Sequence, residues 1–191
     1  MLKGNCSLNC IMIIIPMKLT DSDLISAISS EIKRIFGWNA AVGGYIDAPP
    51  EYFNRSRRQY ISEGILGIAS RISSERKDVV LVVADLDAYA DDLNFVFGQA
   101  ELGGSAAVVY LERLRPEFYG EKSNYSLFRK RVLKEVMHEL GHVMGLAHCE
   151  DWRCVMHFSN TITDTDRKGN YDLYYCSKCM ARLRRSRRIT R

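Results

Sequence analysis

Seventeen consecutive residues, HELGHVMGLAHCEDWRC from His138 to Cys154, constrain this chain more than any other segment. His138 and His142 stand four residues apart, so on a helix both imidazoles project from one face and can share one cation. Glu139 is turned about 100° around the same helix, which lets it reach a water on that cation rather than the cation itself. Gly145 can take the left-handed conformation that ends a helix, turning the chain back so that His148 arrives as a third ligand. Three protein ligands leave a fourth position to water, the arrangement of catalytic rather than structural zinc. A purely structural three-histidine site would have no use for Glu139. The fold must therefore supply a helix through 138–142 and a reversal at Gly145, and a zinc-dependent hydrolase is the leading expectation.

The same segment runs into a second constellation. Cys149-x4-Cys154 is followed, after 21 residues, by Cys176-x2-Cys179, four thiolates at spacings suited to a tetrahedral structural zinc. Two disulfides and unligated thiols compete with that reading, and a reducing compartment favours zinc. A metal there would anchor the segment leaving His148, and folding of the C-terminal part would depend on it. Met156 reads as an ordinary core methionine. His157 reads as a surface or core residue, with ligation in place of His148 as the alternative. Cys6 and Cys10 lie in what reads as an N-terminal extension, without an assigned role.

A length of 191 residues with 47% apolar content supports one core, or one core and a small satellite. The expectation is one domain over 1–191. Within it, 11–146 carries a sheet and the site helix, 147–181 is a zinc-bound subdomain, and 182–191 is a basic tail. Six arginines in that tail account for more than the formal +4, leaving about −2 for residues 1–181, so the body carries no basic nucleic-acid footprint. The longest apolar run, Cys10 to Met17, is far short of the roughly 18 residues that span a bilayer. With no clear secretory pattern either, the expected protein is cytoplasmic, without membrane partners, and monomeric.

Cys10 to Ile15 reads as a strand and Asp21 to Phe36 as a helix, with Leu24, Ile28, Ile32 and Ile35 on one face and Gly37 at its end. A second strand fits Ala40 to Ile46. Beyond Pro49-Pro50, a helix fits Tyr60 to Ser73 with Ile61, Ile65, Ile68 and Ile72 together. VVLVVA from Val79 to Ala84 reads as a strand buried on both faces. Phe95 to Leu102 and Ala106 to Glu112 pair as an antiparallel hairpin across Gly103-Gly104-Ser105, placing one of them at a sheet edge. Ser126 to Leu146 is the long helix bearing the histidines, with Asn124 or Ser126 as cap. After Cys149 the hydrophobic period fades.

The string from His138 to Cys179 resembles the archaemetzincins, a family of the metzincin clan of zinc metallopeptidases. Their pattern is HExxHxxGxxHC, four residues, CxM, a spacer and CxxC. His138, Glu139, His142, Gly145, His148, Cys149, Cys154, Met156, Cys176 and Cys179 all match it, with a 19-residue spacer after Met156 that is slightly long for the pattern. The resemblance implies an α/β fold: a mixed, mostly parallel five-stranded twisted sheet with an antiparallel edge strand, packed on an active-site helix and a backing helix, above a small zinc-stabilised C-terminal subdomain. It also implies that Met156 is the Met-turn residue beneath a catalytic zinc, and that the four cysteines hold a second, structural zinc.

Two zinc ions per chain are thus expected. The first, on His138, His142 and His148, activates a water and polarises a peptide carbonyl, with Glu139 as general base. The partner is then a peptide or protein, lying extended along the edge strand; whether cleavage is internal or at the amino terminus stays open. Tyr171, Tyr174 and Tyr175 are candidates for stabilising the oxyanion by location only. The rival reading is a catalytically idle, zinc-stabilised binding protein whose cysteine module and arginine tail contact nucleic acid.

Overall fold

The computed structural model describes residues 11–90 and 92–186. Apart from three short 3₁₀ turns, the elements in chain order are β1 (Ile11–Met17), α1 (Ser22–Phe36), β2 (Asn39–Val42), β3 (Phe53–Asn54), β4 (Gln59–Ile61), α2 (Ser62–Arg76), β5 (Val79–Ala84), β6 (Ala88–Tyr89), β7 (Gly98–Ala100), β8 (Ala106–Tyr110), α3 (Tyr125–Val143), α4 (Ile162–Arg167) and α5 (Ser177–Arg185). Five strands form one sheet in the order β2-β1-β5-β8-β7. All neighbours are parallel except β7, which runs antiparallel to β8 along an edge. This is the α/β architecture expected from the sequence.

Period-two alternation divides the apolar strands between two cores. Met12 and Ile14, Leu81 and Val83, and Ala107 and Val109 face α1 and α3. Ile13 and Ile15, Val80 and Val82, and Ala106 and Val108 face α2. A strand covered on both faces needs an apolar residue at every position, which is why β5 is wholly buried. On α1, the Asp21 carboxylate accepts the Leu24 N–H at 2.9 Å, and Leu24, Ile28, Ile32 and Phe36 bury one face beside α3.

Several boundaries differ from expectation for identifiable reasons. β2 stops at Val42; Gly43 N–H still donates to the Ile14 carbonyl at 2.8 Å, and beyond the glycine pair the chain meets β1 again at the Met17–Ile46 bridge. The helix expected from Tyr60 begins at Ser62. Tyr60 and Ile61 pair instead with Ala88 and Tyr89 in a second, three-stranded sheet, β3-β4-β6, which the sequence did not suggest. The helix accordingly buries Ser62, Ile65, Ala69 and Ser73 rather than Ile61 and Ile68. β7 is three residues long rather than eight, since Val96 donates to the Ala88 carbonyl at 3.0 Å and leaves the hairpin.

Beyond the histidine segment, α4 is too short to show a hydrophobic period, whereas α5 buries Cys179 and Leu183 four residues apart. α4 is closed by a capping box between Thr161 and Asp164. Arg182, Arg184 and Arg185 belong to α5, where Leu183 is buried, so the basic stretch starts as packed helix rather than tail. Arg187, Arg188 and Arg191, like Cys6 and Cys10, lie outside the described residues. No described helix is long and apolar enough to cross a membrane.

Candidate metal centre and cleft

Helix α3 begins at Asn124, whose side chain accepts the Leu127 N–H at 3.0 Å, and it carries the site on its last two turns. Its end is a Schellman motif: Leu146 N–H donates to the Gly141 carbonyl at 2.9 Å and Gly145 N–H to the His142 carbonyl at 2.8 Å. Gly145 sits at φ +86°, the left-handed region that an L side chain rarely adopts. The reversal delivers His148 to the face of α3 that bears His138 and His142, and the ligand nitrogens of all three lie within 4.8 Å of one another.

Each helical imidazole is oriented by a carbonyl. His138 Nδ1 donates to Val155 O and His142 Nδ1 to Leu146 O, both at 2.7 Å. Both Nε2 atoms therefore present lone pairs inward, 3.2 Å apart. Two such lone pairs repel unless a cation shares them. Two zinc–nitrogen bonds of about 2.05 Å at the tetrahedral angle require about 3.3 Å between nitrogens, so the donor set fits zinc. His148 completes the trio from the exposed side, its ring 4.9 Å from that of Phe158. His157 is not in the group; its Nδ1 lies 2.9 Å from the Cys149 carbonyl.

Glu139 lines a cleft of about 550 Å³ together with His138, His142 and His148. Edge strand β7 forms one wall and the 158–160 segment another. Phe97 O and Glu101 N bond toward β8, so by antiparallel alternation Gly98 and Ala100 turn their backbone groups toward the cleft. Gly98 is a site residue that the sequence reading missed. A methyl group there would stand 2.5 Å from Glu139 Oε1, so the close approach of strand and carboxylate requires glycine. The available signal was a lone glycine inside the apolar run FVFGQA. Under the helix, Met156 is fully buried, and its sulfur occupies the space a side chain at Gly141 would need. The three tyrosines considered for the oxyanion lie elsewhere: Tyr171 donates to Asp151, Tyr174 contacts Glu31 and Arg34, and Tyr175 donates to Met137 O.

The cysteines gather as a second cluster. The Sγ atoms of Cys149, Cys154, Cys176 and Cys179 all lie within 4.8 Å, with Cys149 and Cys176 at 3.8 Å. Zinc–sulfur bonds of about 2.3 Å place tetrahedral ligands about 3.8 Å apart, so this set also fits zinc; all four are free thiols, not disulfides.

Burial governs the electrostatics of both clusters. It holds all three imidazoles below the ordinary histidine value, with Lys168 and neighbouring imidazoles assisting, so the rings are neutral as ligation requires. It also pushes the Glu139 carboxyl well up, helped by Glu135 and opposed by Lys168. Among the thiols, burial raises Cys154 to about 11 and Cys179 further. At Cys176 burial also acts upward, but hydrogen bonds from the other cysteines outweigh it and the thiol ends below its usual value.

Kinship agrees with this geometry. The sequence model of peptidase family M54 matches residues 25–185. The chain belongs to peptidase family M54. Within M54 it is 44% identical over 168 residues to the archaemetzincin of Methanocaldococcus jannaschii, covering 88% of this chain and 89% of that one. It is 41% identical over 177 residues to that of Pyrococcus furiosus, covering 90% and 91%. Among solved structures, the archaemetzincin of Archaeoglobus fulgidus complexed with malonate superposes with TM-score 0.77 at 37% identity, over 90% of this chain and 99% of that one. A zinc-dependent peptidase from Methanocorpusculum labreanum superposes with TM-score 0.76 at 26% identity, over 91% and 99%. By family the M54 chain is a zinc metallopeptidase.

Proposed function

We propose that this protein hydrolyses peptide bonds at the cleft between β7 and α3, with His138, His142 and His148 holding a catalytic zinc and Glu139 acting as general base. The observation that carries this reading is the convergence of three neutral imidazoles beside a carboxylate at the floor of an open cleft. Cys149, Cys154, Cys176 and Cys179 would hold a second zinc of purely structural use, making two per chain. A zinc held by His138, His142 and His148 would supply Lewis acidity, which polarises a carbonyl and acidifies water.

The chain's own residues do the rest. Val155 and Leu146 carbonyls lock the two helical imidazoles in the tautomer that leaves Nε2 free. Backbone groups of Gly98 and Ala100 pair with an extended substrate as an added strand. Glu139 takes the proton of the attacking water on a carboxylate oxygen and delivers it to the departing amine. Its burial favours holding that proton between the two steps. Met156, wedged against Gly141, supports the helix from below, the Met-turn position of the resemblance.

Substituting Glu139 by Ala tests the reading. Hydrolysis of a peptide mixture is expected to fall by about 10²- to 10⁴-fold while elemental analysis still finds two zincs; activity near wild type would refute the role. Product analysis on free and amino-blocked peptides then separates internal from amino-terminal cleavage.

A further inference from the structure

One buried charged pair in the cleft has no part in the proposed reaction. Glu135 and Lys168 are 2% and 1% exposed, their charged atoms are 3.1 Å apart, and both line the cleft beside His138 and Glu139. Glu135 precedes Glu139 by one helical turn, about 6 Å along the axis, the span of one substrate side chain.

Hydrogen-bond capacity here is uneven. Both carboxylate oxygens of Glu135 are used, Oε1 by the Thr165 hydroxyl at 2.8 Å and by Lys168, Oε2 by Lys168 at 3.2 Å. Lys168 brings three N–H donors, and among the described residues only the Glu135 carboxylate receives them. The neighbouring cations are already engaged, which leaves Lys168 as the one facing the cleft among the described residues. Arg131 forms a two-pronged pair with Asp166, at 2.8 and 2.7 Å. Buried Lys134 donates to the Thr165 and Asp166 carbonyls, and although burial pushes it down to about 8 it is still a cation at neutral pH. With Glu139 one turn along α3, three cations face three carboxylates, so the room for another anion lies in the spare Lys168 donor rather than in net charge.

We propose that Lys168, braced by Glu135 on α3, is a carboxylate-recognising subsite that selects substrates bearing a negative group next to the scissile bond. The group is either an acidic side chain or the peptide's own terminal carboxylate. This rests on the peptidase reading above. A charge-assisted bond to a desolvated ammonium is among the stronger contacts a cleft can offer, and an isosteric amide would receive much less from it.

The test compares matched peptides with Glu or Gln at each position flanking the cleaved bond, each with a free or amidated C-terminus. For the zinc-loaded protein kcat/KM is measured, and for its Glu139→Ala variant, which needs no turnover, binding by fluorescence anisotropy. The carboxylate form is expected to win by about tenfold. Whether Glu over Gln or free over amidated carries the ratio identifies the source of the group. Lys168→Met should erase the preference and Lys168→Arg retain it. Glu135→Gln, which releases Lys168 from its partner, should enlarge it. Equal affinity for acid and amide in the parent protein overturns the proposal, as does a uniform loss across all peptides in the variants, the mark of a structural strut. Selective binding without cleavage would sink the peptidase reading and leave the subsite standing.

Discussion

The two ligand clusters lie one residue apart in sequence, at His148 and Cys149, yet the chain holds them by different means. Two of the three histidines sit on the last turns of a 19-residue helix packed on the sheet, each ring fixed by a carbonyl. Their spacing follows from helix geometry and from contacts that need no metal. The cysteines come from a loop and from the first turn of α5, nine residues long, with the six-residue α4 between. Little regular structure is available there to keep four thiols together. At the histidines the fold would organise the ion; at the cysteines the ion is expected to organise the fold.

The largest effect should follow from removing one ligand of each kind. Cys176→Ser is expected to remove one zinc and release residues 149–185 to rapid hydrogen exchange, because the binding energy of a structural zinc, on the order of 10 kcal/mol, is folding energy for such a segment. Activity falls with it, since His148 immediately precedes that segment. His142→Ala should also remove one zinc and cut activity by more than the roughly hundredfold that loss of an outer-sphere partner costs, but leave exchange in 149–185 unchanged. Equal exchange in the two variants would erase the contrast.

Protons offer a second discrimination. Cys154, raised to about 11, and Cys179, raised further, are protonated at neutral pH, so zinc uptake by the thiols must expel at least those two protons. Affinity at the cysteine cluster should rise at least about a hundredfold per pH unit between pH 6.5 and 8. Burial holds the imidazoles below the ordinary histidine value, so they release fewer protons over that range and their affinity should vary far less with pH than that of the thiols. Zinc titrations of His142→Ala for the thiols, and competitive chelation of the wild type for the imidazoles, measure both slopes.

These contrasts also explain what the sequence could reveal. The two side-chain clusters were legible because coordination would need given side chains at given offsets, and the doubly covered β5 because burial on both faces admits only apolar residues. The second sheet was hidden: Tyr60 and Ile61 suit a strand and a helix face equally, and only the remote partners Ala88 and Tyr89 decide. Glu135 and Lys168 were unreadable for the same reason, each being an ordinary charge until α4 brings them together across 33 residues. The tyrosines near the cysteines misled because closeness in sequence says nothing about which way a short turn aims a ring.

Gly98→Ala perturbs the histidine side without touching a ligand. Its methyl would overlap the Glu139 carboxylate, and the approach can be relieved only by moving edge strand β7 or turning the side chain. A displacement of about 1 Å can cost as much as a hundredfold in rate, so a ten- to hundredfold loss of kcat is expected with two zincs still bound. Retained kcat would mean that β7 yields freely, and that the histidine side is no more rigid than the cysteine side.

The smallest effect should come from Gly145→Ala. The added methyl meets no atom within 4 Å, so its whole cost is the backbone conformation at φ +86°, about 1 kcal/mol. For a chain of this size that is a fall of about 2 to 4 °C in Tm. The same strain acts on the Schellman loop whose Leu146 carbonyl orients His142, so zinc affinity should weaken severalfold at the histidines and stay level at the cysteines. Weakening at both sites alike would show that the link through His148 and Cys149 transmits strain, and that the two clusters are one mechanical unit rather than two.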